Sequence, residues 1–138
     1  MSKDDYLLHP IGLVQSSLRD RAAAPRQGDE GAPDAWLEIN SALLEGLDGI
    51  TVGDELIVIT WLHESQRDVL KLHPRGDENN PLTGVFATRS PDRPNPLGLH
   101  RVSVLEVAGN RLKAGPIEAI DGTPIVDLKP VLPRSADS

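Results

Sequence analysis

ELIVITWL, residues 55–62, is the most apolar run of the chain, and four of its eight residues are β-branched. No glycine or proline interrupts it, and Gly53-Asp54 punctuates its start. Such a run reads as a buried strand at the centre of a sheet. Outward from it the same grammar repeats in shorter form. Residues 7–14 read as a first strand broken by His9-Pro10, residues 36–39 as a second, and residues 69–73 and 84–88 as two more across a Gly/Asn/Pro-rich turn at 76–81. Residues 102–107 and 111–114 flank Gly109-Asn110, a strong hairpin signal. Residues 125–128 close the series, 42–47 fit one or two helical turns, and 19–33 form a loop. Seven or so short strands with almost no helix point to an all-β chain, a small closed or nearly closed β-barrel. One domain is expected over residues 1–134, with a frayed tail at 135–138.

A second stretch, GVFATRSPDRPNPLGLHR at residues 84–101, carries more than a connecting loop needs. Pro91, Pro94 and Pro96 fix their own φ and bias the residues before them toward extended backbone, which predicts a stiff, largely extended track. Gly98 then permits a close backbone approach or a positive φ. Arg89, Arg93 and Arg101 stand along the track as planar cationic forks suited to carboxylates or phosphates. A proline-rich surface loop with solvated arginines is the plain alternative.

Composition narrows the partners. The 138 residues contain no cysteine, so disulfides and thiol chemistry are excluded. The start, MSKDDYLLHP, has no apolar core of signal-peptide length and no run approaches a membrane span, which predicts a cytoplasmic protein. The net charge of −7 and an aromatic content of 3% argue against a broad nucleic-acid surface. Charge is uneven: residues 1–66 hold four Lys/Arg against twelve Asp/Glu, whereas residues 67–101 hold six against four. A polyanion would meet this middle third. No G-x-G-x-x-G or P-loop is present, and strands and helices do not alternate, so a Rossmann methyltransferase is not expected. His63, Glu64 and His73 match no zinc spacing, and no metal site is expected.

Two long motifs in order, TRSPDRPNPLGL (88–99) and DGTPIVDLKP (121–130), resemble the signature of the TsaA-like, or TrmO, family of S-adenosylmethionine (SAM)-dependent tRNA methyltransferases. Ile11-Gly12 and Ala24-Pro25-Arg26-Gln27 extend the resemblance to about residues 11–133. It implies a β-barrel homodimer with SAM near the subunit interface. The implied substrate is N6-threonylcarbamoyladenosine beside the tRNA anticodon, which gains a methyl group on N6. Cofactor contacts are implied at Pro25, Arg26, Gln27, His63, Glu64, Arg89, Leu99, Glu118, Ala119, Ile120 and Asp121, with Leu99 on the adenine, and substrate contacts at Arg93 and Asn95. Longer members of the family carry a further C-terminal domain. Where they have His-Gln and Lys-Pro-Tyr, this chain has His63-Glu64 and Lys129-Pro130-Val131.

The residue types suit these roles and also plainer ones. Pro25 can fix backbone while Gln27 reads an adenine edge or a methionine terminus, or the loop is simply solvated. His63-Glu64 sits where the apolar strand emerges, supported yet accessible, as a ligand contact or a solvent-facing pair. Glu118 and Asp121 offer carboxylates that accept hydrogen bonds from ribose hydroxyls, while Asp121-Gly122 equally makes a turn. Asp127 and Lys129 share a strand face as a structural pair. Two alternatives to the tRNA enzyme stay open: a non-catalytic SAM- or nucleotide-binding regulatory module, and a methyltransferase acting on a small acceptor.

Overall fold

Alternation along residues 55–61 sorts the apolar run into two faces. Leu56, Val58 and Thr60 are buried, and Ile57, Ile59 and Trp61 are half-buried on the other side. The computed structural model describes residues 4–26 and 28–133. Its strands are β1 (Gly12–Gln15), β2 (Ala35–Ile39), β3 (Glu55–Trp61), β4 (Lys71–Leu72), β5 (Thr83–Gly84), β6 (Leu97–Ala108), β7 (Arg111–Gly115) and β8 (Pro124–Pro130). Six of them close in the order β1-β2-β7-β6-β3-β8, with β8 returning to β1 and every pair antiparallel. Closure leaves the barrel no unpaired sheet edge. The small β4–β5 ribbon stands apart from it.

The barrel holds one apolar core: Val14, Leu37, Ile39, Val58, Val102, Val104, Leu112 and Ile125 are each at most 2% exposed. Leu47 plugs one end from a 3-10 segment (Ser41–Leu47), whose first turn Asn40 caps by accepting from Ala42 N at 3.0 Å. The long strand β6 serves two neighbours: residues 97–103 pair with β3 and residues 103–108 with β7. A register shift between Val104 and Glu106 marks the bulge where it bends. The β6–β7 hairpin turns at Gly109-Asn110, with Gly109 at φ 62°.

Three glycines among the described residues are sterically required: a Cβ on Gly115 would collide with Asp34. A Cβ on Gly12 would collide with the Glu38 carbonyl of β2, and a Cβ on Gly98 would stand 2.5 Å from Thr60 Oγ1 and 2.7 Å from His100 Nε2.

Several sequence expectations need correction. The first strand begins only at Gly12; Leu7 and Leu8 are 67% and 50% exposed, because pairing with β2 and β8 starts at Gly12. Of residues 69–73 only Lys71 and Leu72 pair, and of 84–88 only Gly84, as the chain then winds into a 3-10 turn at Val85–Ala87. The proline track is not straight: it bends at Pro91 and over 93–95. Gly98 lies inside β6 and takes the close-approach alternative rather than a positive φ. The Asp127–Lys129 pair is present at 3.8 Å. The tail at 135–138 lies outside the described residues. No described helix is long and apolar enough to cross a membrane.

Candidate functional site

At the end of the barrel opposite Leu47, the C-terminus of β3 and the N-terminus of β6 open into a cleft of about 1830 Å³. Loops complete it: residues 20–22, 24–26, 62–65, 72–76, 86–95 and 118–120 contribute lining. Its floor is apolar, with Ile59, Leu62, Leu97, Leu99, Ala119 and Ile120. Five arginines (21, 26, 75, 89, 93) face four carboxylates (Asp20, Glu64, Asp92, Glu118), a positive balance in an acidic chain.

The loops are tied to one another by side chains. Arg21 donates to Asp92 Oδ1 at 2.8 Å and to the Glu64 carbonyl at 3.2 Å, and Gln66 N donates to the same Asp92 oxygen at 2.9 Å. Burial pushes the Asp92 carboxyl up, but the hydrogen bonds from Arg21 and Gln66 outweigh it and hold the group below its ordinary value. Arg67 lies over the Trp61 ring at 5.1 Å and donates to the Pro94 carbonyl at 2.7 Å and to Asn95 Oδ1 at 3.1 Å. Arg93 donates to the Thr88 and Ser90 carbonyls at 3.1 and 3.0 Å, which folds the proline track back on itself. Arg75, in the left-handed region at φ 58°, meets Glu30 at 2.5 Å and joins the 74–76 and 28–30 turns. That bond raises the arginine's pKa still further. His73 donates from Nδ1 to the Asn80 carbonyl at 2.8 Å.

Pro25, Arg26, His63, Glu64, Arg89, Arg93, Asn95, Leu99, Glu118, Ala119 and Ile120 all line this one cleft. Arg26 and Arg89 are exposed there, and neither has an ion-pair or hydrogen-bond partner among the described residues. Leu99 is 51% exposed on the floor. His63 and Glu64 face each other at 3.8 Å on the rim. Arg93 and Asn95, expected at the substrate, spend polar atoms bracing the track. Asp121 does not line the cleft: it accepts from Ser16 N at 3.0 Å and stands 3.9 Å from Arg19. Gln27 lies outside the described residues. No group of three or more His, Asp and Glu side chains among the described residues is placed to hold a metal.

Sequence reasoning missed a buried polar chain behind the floor. His100 Nδ1 lies 2.5 Å from Glu118 Oε1 and its Nε2 lies 2.6 Å from Thr60 Oγ1. The His100 side chain is only 3% exposed and that of Glu118 17%. The signal was in the alternation: Thr60 and His100 are polar residues at the inward phase of strands whose other inward residues are apolar or glycine.

Fold and cleft together define an antiparallel β-barrel protein with a loop-built cleft at one open end. A family profile described as the tRNA-methyltransferase O N-terminal domain matches residues 13–138, and the chain belongs to this family. It is 42% identical over 128 residues to the Methanocaldococcus jannaschii protein named "Probable S-adenosyl-L-methionine-binding protein", covering 90% of each. It is 40% identical over 128 residues to the Archaeoglobus fulgidus "S-adenosyl-L-methionine-binding protein", covering 93% of this chain and 91% of that one. Among solved structures, TrmO from Pseudomonas aeruginosa superposes with a TM-score of 0.76 at 28% identity, over 99% of this chain. The chain spans 59% of that protein's length.

Proposed function

We propose that this chain binds SAM in the barrel-end cleft and transfers its methyl group to an adenosine of tRNA, with N6 of threonylcarbamoyladenosine as acceptor. The observation that carries the reading is the donor set of the cleft. An apolar floor lies beside one held carboxylate, Glu118, and two guanidinium groups, Arg26 and Arg89, that are unpaired among the described residues. These match the adenine, the ribose hydroxyls and the methionine carboxylate of SAM in turn. Family membership and the names of relatives that share most of the chain's length support the same cofactor.

When bound, SAM supplies an electrophilic methyl group on a sulfonium. The chain's own part is orientation. Leu99 and Ile120 offer an adenine surface, Glu118 a fixed acceptor, and the Arg21–Asp92–Gln66 ties hold the surrounding loops in register. Holding two reactants in line and close is worth about 7–11 kcal/mol of barrier. The remaining cleft beside Arg75 and Arg89 is room for a nucleoside and its phosphates. A homodimer sets the 67–101 segments of two chains side by side and doubles the basic patch. Action on tRNA makes the protein cytoplasmic.

One observation favours a second reading, a SAM-binding module without turnover. Relatives of matching length are named as binding proteins, whereas the chain spans only 59% of TrmO. Mass spectrometry of tRNA nucleosides from a strain lacking the gene separates the two. Loss of a methylated threonylcarbamoyladenosine, restored by the gene, supports the enzyme. An unchanged nucleoside profile, with SAM binding intact, supports the module.

A further inference from the structure

We infer that His100 is a positioning residue that presents Glu118 to the ribose hydroxyls of the bound nucleoside, an inference that rests on the SAM reading above. The starting point is an expense in the core. His100 projects inward from β6 between Gly98 and Val102, opposite Val58 of β3, and is as buried as the leucines and valines around it. An imidazole in such a place is tolerated only when its nitrogens are hydrogen-bonded, and both are. An ionised carboxylate can only accept, so the hydrogen bond to Glu118 puts a proton on Nδ1. In the neutral ring Nε2 then accepts the Thr60 hydroxyl proton. The chain therefore has a direction: Thr60 to His100 to Glu118.

Gly98 makes this geometry possible, because any side chain there would collide with both Thr60 Oγ1 and His100 Nε2. Glu118 comes from a separate element, the segment between β7 and β8, where Ile117, Ala119 and Ile120 are buried and Ile117 N is bonded to the Pro33 carbonyl at 2.9 Å. Its backbone is thus anchored on both sides, and His100 fixes the one remaining freedom, the side-chain rotamer. Oε1 is committed to the ring. Oε2 has no hydrogen-bond partner among the described residues, and a Cβ added at nearby Gly28 would crowd it at 3.2 Å. The result is a carboxylate with one oxygen held from behind and one offered to hydroxyl donors in the cleft.

The test uses the full chain and two ligands, S-adenosylhomocysteine and its 2′,3′-dideoxyribose analogue, in titration calorimetry with melting temperatures recorded in parallel. The wild type should prefer the hydroxylated ligand by tenfold or more. In Glu118→Gln, His100→Gln and His100→Leu the preference should collapse toward one. His100→Asn should retain it, because its amide nitrogen superposes on Nδ1 and still donates to Glu118. General loosening of the barrel weakens both ligands alike and leaves the ratio unchanged, so a purely structural role for His100 predicts the wild-type preference in every variant that folds. That outcome overturns the inference, as does an Asn variant no more selective than the Leu variant. A wild type that binds neither ligand instead overturns the SAM reading itself.

Discussion

Gly98→Ala adds a methyl group at the point where β3 and β6 place a hydroxyl and an imidazole against bare backbone. The new carbon would lie 2.5 Å from Thr60 Oγ1 and 2.7 Å from His100 Nε2, far inside ordinary contact distance. Thr60 is fully buried and the strands on both sides are paired, so the neighbours have little room to retreat. Overpacking of a well-packed interior costs about 1–3 kcal/mol. Parting Thr60 from His100 leaves buried polar groups unpaired, at about 1–3 kcal/mol more. Some relaxation is shared between the two costs, so a net loss of about 2–4 kcal/mol is expected. With a urea m-value of about 2 kcal/mol/M, the unfolding midpoint should fall by roughly 1–2 M. Equilibrium urea denaturation followed by Trp36 and Trp61 fluorescence reads this directly. A loss below about 0.5 kcal/mol would refute the claim that Gly98 is there to admit the His100 ring.

Other perturbations give separate readings. Asp92 has a lowered pKa in the fold, so the stability it contributes is present above its unfolded value and lost as pH falls through its folded one. Arg21→Ala removes the main stabilising partner and should flatten the stability profile below about pH 4, with a loss of about 1 kcal/mol or less at pH 7 because Arg21 is partly exposed and screened. Arg89→Lys keeps charge but loses the planar fork; SAM affinity or methyl transfer should fall at least tenfold with an unchanged melting temperature, and wild-type values would make Arg89 a solvated loop residue. Light scattering should give a dimer mass, and tRNA methylation at subsaturating tRNA should decline with a shallow salt slope; a monomer with salt-insensitive activity contradicts the paired basic patch.

The barrel was legible because its signals are local. Alternation in residues 55–61 and the Gly109-Asn110 turn specify strand faces and a hairpin without reference to distant residues. The proline track was misread for the opposite reason. Proline geometry favours an extended course, but Arg93 ties its own segment back through the Thr88 and Ser90 carbonyls, and Asp92 binds Arg21 from 71 residues away. Strand 84–88 failed similarly: β4 offers a partner only to Thr83 and Gly84. Eleven of the cleft residues came from the family resemblance, whose motifs sit on the loops that converge there. Thr60, His100 and Glu118 each carried a visible mark, a polar residue among apolar ones. Their meeting depends on the β3–β6 register and on the fold of the 116–123 segment, and no window of sequence contains both.

The central claim is that the cleft binds SAM, and calorimetry of the purified chain with SAM and S-adenosylhomocysteine tests it most directly. The account predicts about one ligand per chain and a melting temperature that climbs with ligand concentration as RT ln(1 + [L]/Kd) requires. Absence of both heat and a melting shift at millimolar SAM would contradict it.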